Sequence, residues 1–104
     1  MNAAISWAEP ALGDLEAIRG TLARDSEAFA KQVMDRLLAA VERVVSVPRI
    51  GRVVSEVGDE RIRELLFRTF RIVYRAEPNR ITVLSVLFGG TAGERREPRR
   101  WEVI

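Results

Sequence analysis

The sequence predicts an α+β domain: a short N-terminal strand, a helical hairpin, and an antiparallel meander, in the order β-α-α-β-β-β. Three observations predict it. Apolar residues recur at three- and four-residue steps from Pro10 to about Arg24, and again from Ala30 to Val45, the period of helices that bury one stripe. Beyond Pro48 the pattern changes to short β-rich runs, Ile62–Phe67, Phe70–Ala76 and Ile81–Phe88. Only "RT" and "EPNR" separate these runs. Such links are too short for crossover helices, so consecutive runs must pair antiparallel.

Each element has its own signature. "AAISW" (Ala3–Trp7) is β-prone and is followed by Pro10, which suits the first turn of a helix. The first helix carries Leu12, Leu15, Ile18 and Leu22 on one stripe, and Gly20 weakens its end by roughly 1 kcal/mol relative to alanine. Asp25 or Ser26 caps the second helix, with Glu27 favourably placed in its first turn. Its stripe is Ala30, Val33, Met34, Leu37, Leu38, Val41, Val44 and Val45, all expected in the core. Pro48 ends it by pushing the preceding residue out of helical dihedrals. Gly51 and Gly58 bracket a short β-prone piece, Val53–Ser55, and Pro78-Asn79 is turn chemistry. In the middle strand Phe70, Ile72, Tyr74 and Ala76 are expected under the helices, with Arg71, Val73 and Arg75 facing outward. Residues 1–104 read as one domain, with 94–104 as a charged tail of possible flexibility; Trp7 and Trp101 are candidates to close the core at its ends.

Composition excludes several chemistries. Hydrophobic residues make up 47% and charged residues 31% of the chain, which fits a globular domain rather than a disordered one. No apolar run approaches the roughly eighteen residues of a membrane span, and "MNAAISWAEP" has no secretory pattern. Cysteine is absent, which removes disulfides and thiol chemistry and fits a cytoplasmic location. Histidine is absent as well, so no imidazole serves acid–base work and no His/Cys set holds zinc. No metal or cofactor is expected. Any catalysis would rest on carboxylates, Tyr74, Lys31 or arginines.

The arginines are the conspicuous feature. Sixteen of the seventeen basic residues are Arg. Residues 1–52 balance seven basic against seven acidic side chains, whereas residues 61–80 hold six arginines against Glu64 and Glu77. Guanidinium groups form forked contacts with carboxylate or phosphate that ammonium does not match. Arg63, Arg71 and Arg75 are therefore candidates for contacting a target. They equally fit an ordinary solvated face, and Arg71 also fits a tie between the sheet and a tail carboxylate. The pairs Arg95-Arg96 and Arg99-Arg100 are interleaved with three glutamates, too nearly balanced to read as a DNA-binding motif.

The order strand, helix hairpin, three-stranded meander, with "WAEPALGDLEAI", "VPRIGRVVSE", "IRELLFRTFRIVYR" and "ITVLSVLFGG" in that spacing, resembles the RelE/ParE superfamily of type II toxin–antitoxin systems from about Ile5 to Gly90. The Pro-Gly-Arg connector and the Arg-Glu-Leu before Phe-Arg-Ile-Val-Tyr-Arg look more like the ParE branch. That resemblance implies a toxin that inhibits DNA gyrase, is more an inhibitor than an enzyme, and is neutralised by a cognate antitoxin. The alternatives are a RelE-like ribosome-dependent endoribonuclease of messenger RNA, with Arg71, Arg75 and Arg63 as its site, or a non-toxic binding module of the same fold. Arg71 matches a position filled in both branches. Phe88-Gly89 stands where many ParE-like members have His-Gly. Two helices cover one face of a short sheet but leave an edge strand open to a visiting strand. An acidic antitoxin segment, partly disordered when free, is therefore expected on Leu12, Leu15, Ile18 and Leu22 of the first helix and on Ile5 and Trp7 at a sheet edge.

Overall fold

The computed structural model describes residues 4–88. The tail 94–104, with Trp101, lies outside them. The first strand, β1, is Ala4–Trp7; two helices follow, α1 (Glu9–Ala23) and α2 (Glu27–Ser46). Then come β2 (Arg52–Val53), a 3₁₀ turn at Ser55–Val57, and the strands β3 (Ile62–Phe67), β4 (Phe70–Glu77) and β5 (Arg80–Phe88). The expected α+β class and element order are observed.

Local chemistry sets the boundaries. Pro10 sits in the first turn of α1, and the helix runs past Gly20 to Ala23. Of the two candidate caps it is Ser26 that serves α2, its hydroxyl accepting the Phe29 N–H at 3.1 Å. The helix ends at Ser46, just ahead of Pro48. Val53–Ser55 is not one strand: β2 stops at Val53, Val54 turns into the interior, and Ser55 opens the 3₁₀ turn. Gly58 closes that turn at φ 79°, a dihedral that favours glycine.

The sheet has five strands in the order β1-β5-β4-β3-β2. β3, β4 and β5 form the expected antiparallel meander. β1 joins it parallel to β5, with Ala4 opposite Arg80 and Trp7 opposite Val83, so the sheet is mixed. Between Val73 and Tyr74 of β4 the register slips by one residue, because Leu84 of β5 is extra. This bulge lets Val83 and Val86 both reach the helix side while Leu84 packs on the other.

The main core lies between helices and sheet. Ala11 and Ile18 of α1, with Val33, Leu37, Ala40 and Val41 of α2, bury against Phe70, Ile72, Val83 and Val86. Tyr74 joins Val44 and Ile81 beside it. Leu38 is a correction to the expected stripe: it is exposed. One residue past Leu37 it is about 100° further round the helix, which carries it off the buried side. Past the end of β1, α1 takes over the edge of β5: the Ala8 N–H donates to the Val83 carbonyl at 2.9 Å, and Asp14 accepts the Val86 N–H at 2.8 Å.

The opposite face is not the solvated surface that alternation suggests. Val73 packs there with Val54, Ile62 and Leu84 in a second apolar cluster.

Candidate functional site

Two places collect the residues singled out by the sequence. The first is an open groove beside α1 of about 400 Å³, lined by Leu12, Gly13, Leu15, Glu16 and Arg19 of α1 and by Met34 of α2. Leu12 and Leu15 are one helical turn apart and supply apolar wall. Gly13 leaves open space, since a side chain there would meet nothing within 4 Å. Leu12 is 50% exposed, a large apolar side chain left uncovered. The remaining members of that predicted set separate. Ile18 is buried in the core and so is not free to meet a partner, because the i, i+3, i+4 stripe of α1 turns it squarely onto α2 and the sheet. Leu22, Ile5 and Trp7 are half-buried, packed against the same core. Ile5 and Trp7 stand on β1, the outermost strand on its side of the sheet.

The second place is the arginine set, and the fold divides it. Arg63 pairs across the strands with Tyr74 and so projects toward the helix side, where its Nη1 donates to the Gly51 carbonyl at 2.8 Å. Arg71 and Arg75 project the other way. Arg71 is only 4% exposed, its Nε 3.3 Å from Oε1 of the equally buried Glu64. Arg52 holds the second oxygen of Glu64 through Nε and Nη2, each at 2.9 Å. Arg75 is half-buried, with Nε 3.7 Å from Glu77. Arg71 is thus not a solvated side chain. It completes an Arg52–Glu64–Arg71 triad in which one carboxylate is shared by two guanidinium groups, the satisfied arrangement that a buried charge requires.

The connector between α2 and β3 is held by Tyr74. Its hydroxyl accepts the Gly51 N–H at 2.9 Å and donates to the Pro48 carbonyl at 2.8 Å. Burial raises the phenol above its ordinary pKa, against smaller lowering from the Gly51 N–H and Arg63. A phenol that is buried, doubly hydrogen-bonded and raised is a poor proton acceptor at neutral pH. At the surface, Asp59 grips Arg61 with Oδ1 on Nε (3.1 Å) and Oδ2 on Nη2 (2.8 Å). The Arg61 side chain and then its backbone N–H hold the Asp59 carboxyl down to about 2. Among the described residues no group of three metal-ligating side chains converges.

Residues 5–92 match the family described as the ParE toxin of the type II toxin–antitoxin system parDE. The chain belongs to the ParE toxin family. Among solved structures it is similar to a chain of the "Chromosomal ParDE TA system from P. aeruginosa", at 20% identity and a TM-score of 0.69, covering 85% of this chain and 97% of that one. At that identity the likeness speaks to the fold alone, and it agrees with the ParE architecture built up above. No curated protein matches the sequence. No helix among the described residues of this ParE-family chain is long and apolar enough to cross a membrane.

Sequence reasoning missed Asp14 and the Tyr74–Gly51–Pro48 link. Asp14 carried a weak signal, as an acid one residue from the apolar stripe of α1. The Tyr74 link carried none, since nothing local ties Tyr74 to residues over twenty positions away.

Proposed function

We propose that this protein is the toxin of a type II toxin–antitoxin pair, that it acts in the cytoplasm on DNA gyrase by binding rather than by cutting nucleic acid, and that a cognate antitoxin neutralises it. Membership of the ParE family carries the reading. The commitment of the arginines supports binding over cleavage. Arg63 and Arg71 are engaged by a backbone carbonyl and by Glu64, the Tyr74 phenol is raised, and no histidine is available. A ribonuclease needs a group poised to take a proton near neutral pH, a role that the chain cannot fill with histidine and for which the raised Tyr74 phenol is unsuited. Supercoiling by purified gyrase should be inhibited by the purified toxin, while messages on ribosomes stay whole. Cleavage of those messages with gyrase unaffected would reverse the assignment in favour of the RelE-like reading.

The antitoxin segment fits the groove beside α1 and the open edge of β1. The groove offers Leu12, Leu15 and Met34 to the apolar side of a foreign helix, and the edge offers unpaired backbone groups to an extended one. The local arginine excess of residues 61–80 favours an acidic segment and speeds its encounter at low salt. Hydrogen exchange with and without the antitoxin tests this: α1 and β1 should become protected. Protection confined to 94–104 would contradict it.

A further inference from the structure

The six arginines of residues 61–80 are not equally free. Five are held by groups of the chain itself: Arg61 by Asp59 and Glu77, Arg63 by the Gly51 carbonyl, Arg71 by Glu64, Arg75 by Glu77 and Arg80 by Ser6. Arg68, in the two-residue turn between β3 and β4, has no carboxylate or carbonyl partner among the described residues; its guanidinium lies only over the Phe67 ring, 5.9 Å from the centroid. Its backbone is strained as well, at φ 55°, the one positive value outside glycine among the described residues. With Thr69 outside that region the turn has the II′ pattern, whose first position is normally glycine. An exposed cation–π contact returns less than the left-handed conformation costs a side chain. The chain's own stability therefore does not account for an arginine there.

The strand edge beside this turn is open. Backbone groups of an antiparallel strand alternate in direction, and the Ile62 carbonyl accepts the Val54 N–H at 3.0 Å, so Ile62, Glu64 and Leu66 turn theirs toward the β2 side. Pairing with β2 stops at Glu64, which leaves the Leu66 N–H and C=O without a strand among the described residues. The Leu66 side chain is 57% exposed, the highest of the large apolar residues described. Taking the chain as a toxin that acts by binding, we propose that the hairpin tip from Leu66 to Arg68 is where it grips its target, an extended acidic segment of a partner protein. The segment lies beside β3 past the end of β2, an apolar side chain covers Leu66, and a carboxylate meets Arg68. A guanidinium would serve a phosphate equally, but an apolar side chain and a free strand edge match a peptide and not a nucleic-acid backbone. The tip stands apart from the surfaces given to the antitoxin, since β5 and β4 lie between β1 and β3.

Arg68→Gly and Leu66→Asp test the tip through growth arrest on expression without antitoxin, gyrase supercoiling, antitoxin affinity and thermal unfolding. Arg68→Gly removes cation and strain together, so it should melt no lower than the wild type and bind antitoxin as well. It should nevertheless inhibit gyrase about tenfold less or worse, the loss of one charge-assisted contact. Leu66→Asp, on an exposed side chain, should stay folded and lose inhibition to a similar degree. Arg68→Lys keeps the charge but not the fork and should fall between wild type and Arg68→Gly. Either of the first two variants acting like the wild type on gyrase and growth would overturn the proposal. So would loss of antitoxin binding in both, which assigns the tip to the antitoxin, or a DNA duplex shifted by the wild type and not by Arg68→Gly, which assigns Arg68 to phosphate. A wild type that arrests growth with gyrase untouched refutes gyrase as the target and not the tip, and growth arrest by the two variants then decides. A wild type with neither effect overturns both readings.

Discussion

Gly51→Ala probes the link between the α2–β3 connector and the sheet. A Cβ at residue 51 would lie 2.6 Å from the Tyr74 hydroxyl, 2.9 Å from Tyr74 Cε1 and 2.7 Å from the Glu64 carbonyl oxygen. The first two atoms belong to a ring already buried against Val44 and Ile81, and the third is backbone held in the β2–β3 ladder. None is the loose end of a flexible side chain. Overpacking of this kind costs about 1–3 kcal/mol. Displacing the phenol also removes two buried hydrogen bonds, from Gly51 and to Pro48, worth about 1 kcal/mol each. The expected loss is roughly 3–5 kcal/mol, or a fall in Tm of about 14–23 °C for a chain of this size. Urea and thermal unfolding measure it. Tyr74→Phe alone should cost about 1–3 kcal/mol. In the Y74F background G51A should cost less than in the wild type, but not zero, because the Glu64 oxygen stays. A G51A protein within about 0.5 kcal/mol of wild type would refute the steric reasoning.

Three further outcomes follow from the geometry. Glu64→Ala should destabilise by about 3–5 kcal/mol, since it takes the carboxylate from a buried guanidinium, whereas Arg52→Ala, on a largely exposed side chain, should cost about 1 kcal/mol or less; equal losses in urea unfolding would contradict the triad. The Asp59 carboxyl should titrate at about 2 by NMR and move back toward 3.8 in Arg61→Ala; because its folded pKa is depressed, its contribution is complete above the ordinary value and disappears as pH falls through about 2, so wild type and R61A should converge in stability in strong acid. Gly20→Ala should stabilise by about 0.5–1 kcal/mol in thermal unfolding, as the helix persists through Ala23 and nothing lies within 4 Å of a Cβ there; a loss of stability would show that Gly20 has a packing role.

The helices and the meander were legible because their signals are local. Ser26, Pro48 and Pro78-Asn79 mark boundaries by their own backbone chemistry, and the stripe Val33, Leu37, Val41, Val44 repeats within one element. What failed was the sense of direction on the sheet. "IRELLF" supports two alternations equally well, and only the cross-strand pairing of Glu64 with Val73 assigns Arg63 to the helix side. Grouping Arg63, Arg71 and Arg75 on one face was therefore wrong as geometry. The burial of Arg71 was hidden for the same reason: its counter-charge, Glu64, comes from another strand. The bulge at Leu84 left a faint trace, a serine inside an apolar run. In the groove, Leu12 and Leu15 were identifiable by period, but the exposure of Leu12 and the burial of Ile18 depend on where α2 crosses α1.

The parallel pairing of Ala4–Trp7 with Arg80–Val83 also has a meaning in time. A ribosome delivers β1 well before its partner, with both helices and three other strands made in between. Until β5 emerges, the helical hairpin has no complete sheet to lie on, and Val33, Leu37 and Ala40 face solvent. Loops this long close late, because their entropy must be lost before any contact compensates for it. A nascent chain interrupted anywhere before residue 80 consequently carries a sticky hairpin and an orphan strand but no finished groove, since the wall formed by α1 is seated by β5 through Asp14 and Val86. The groove beside α1 is seated only once β5, the last of the described strands, is in place.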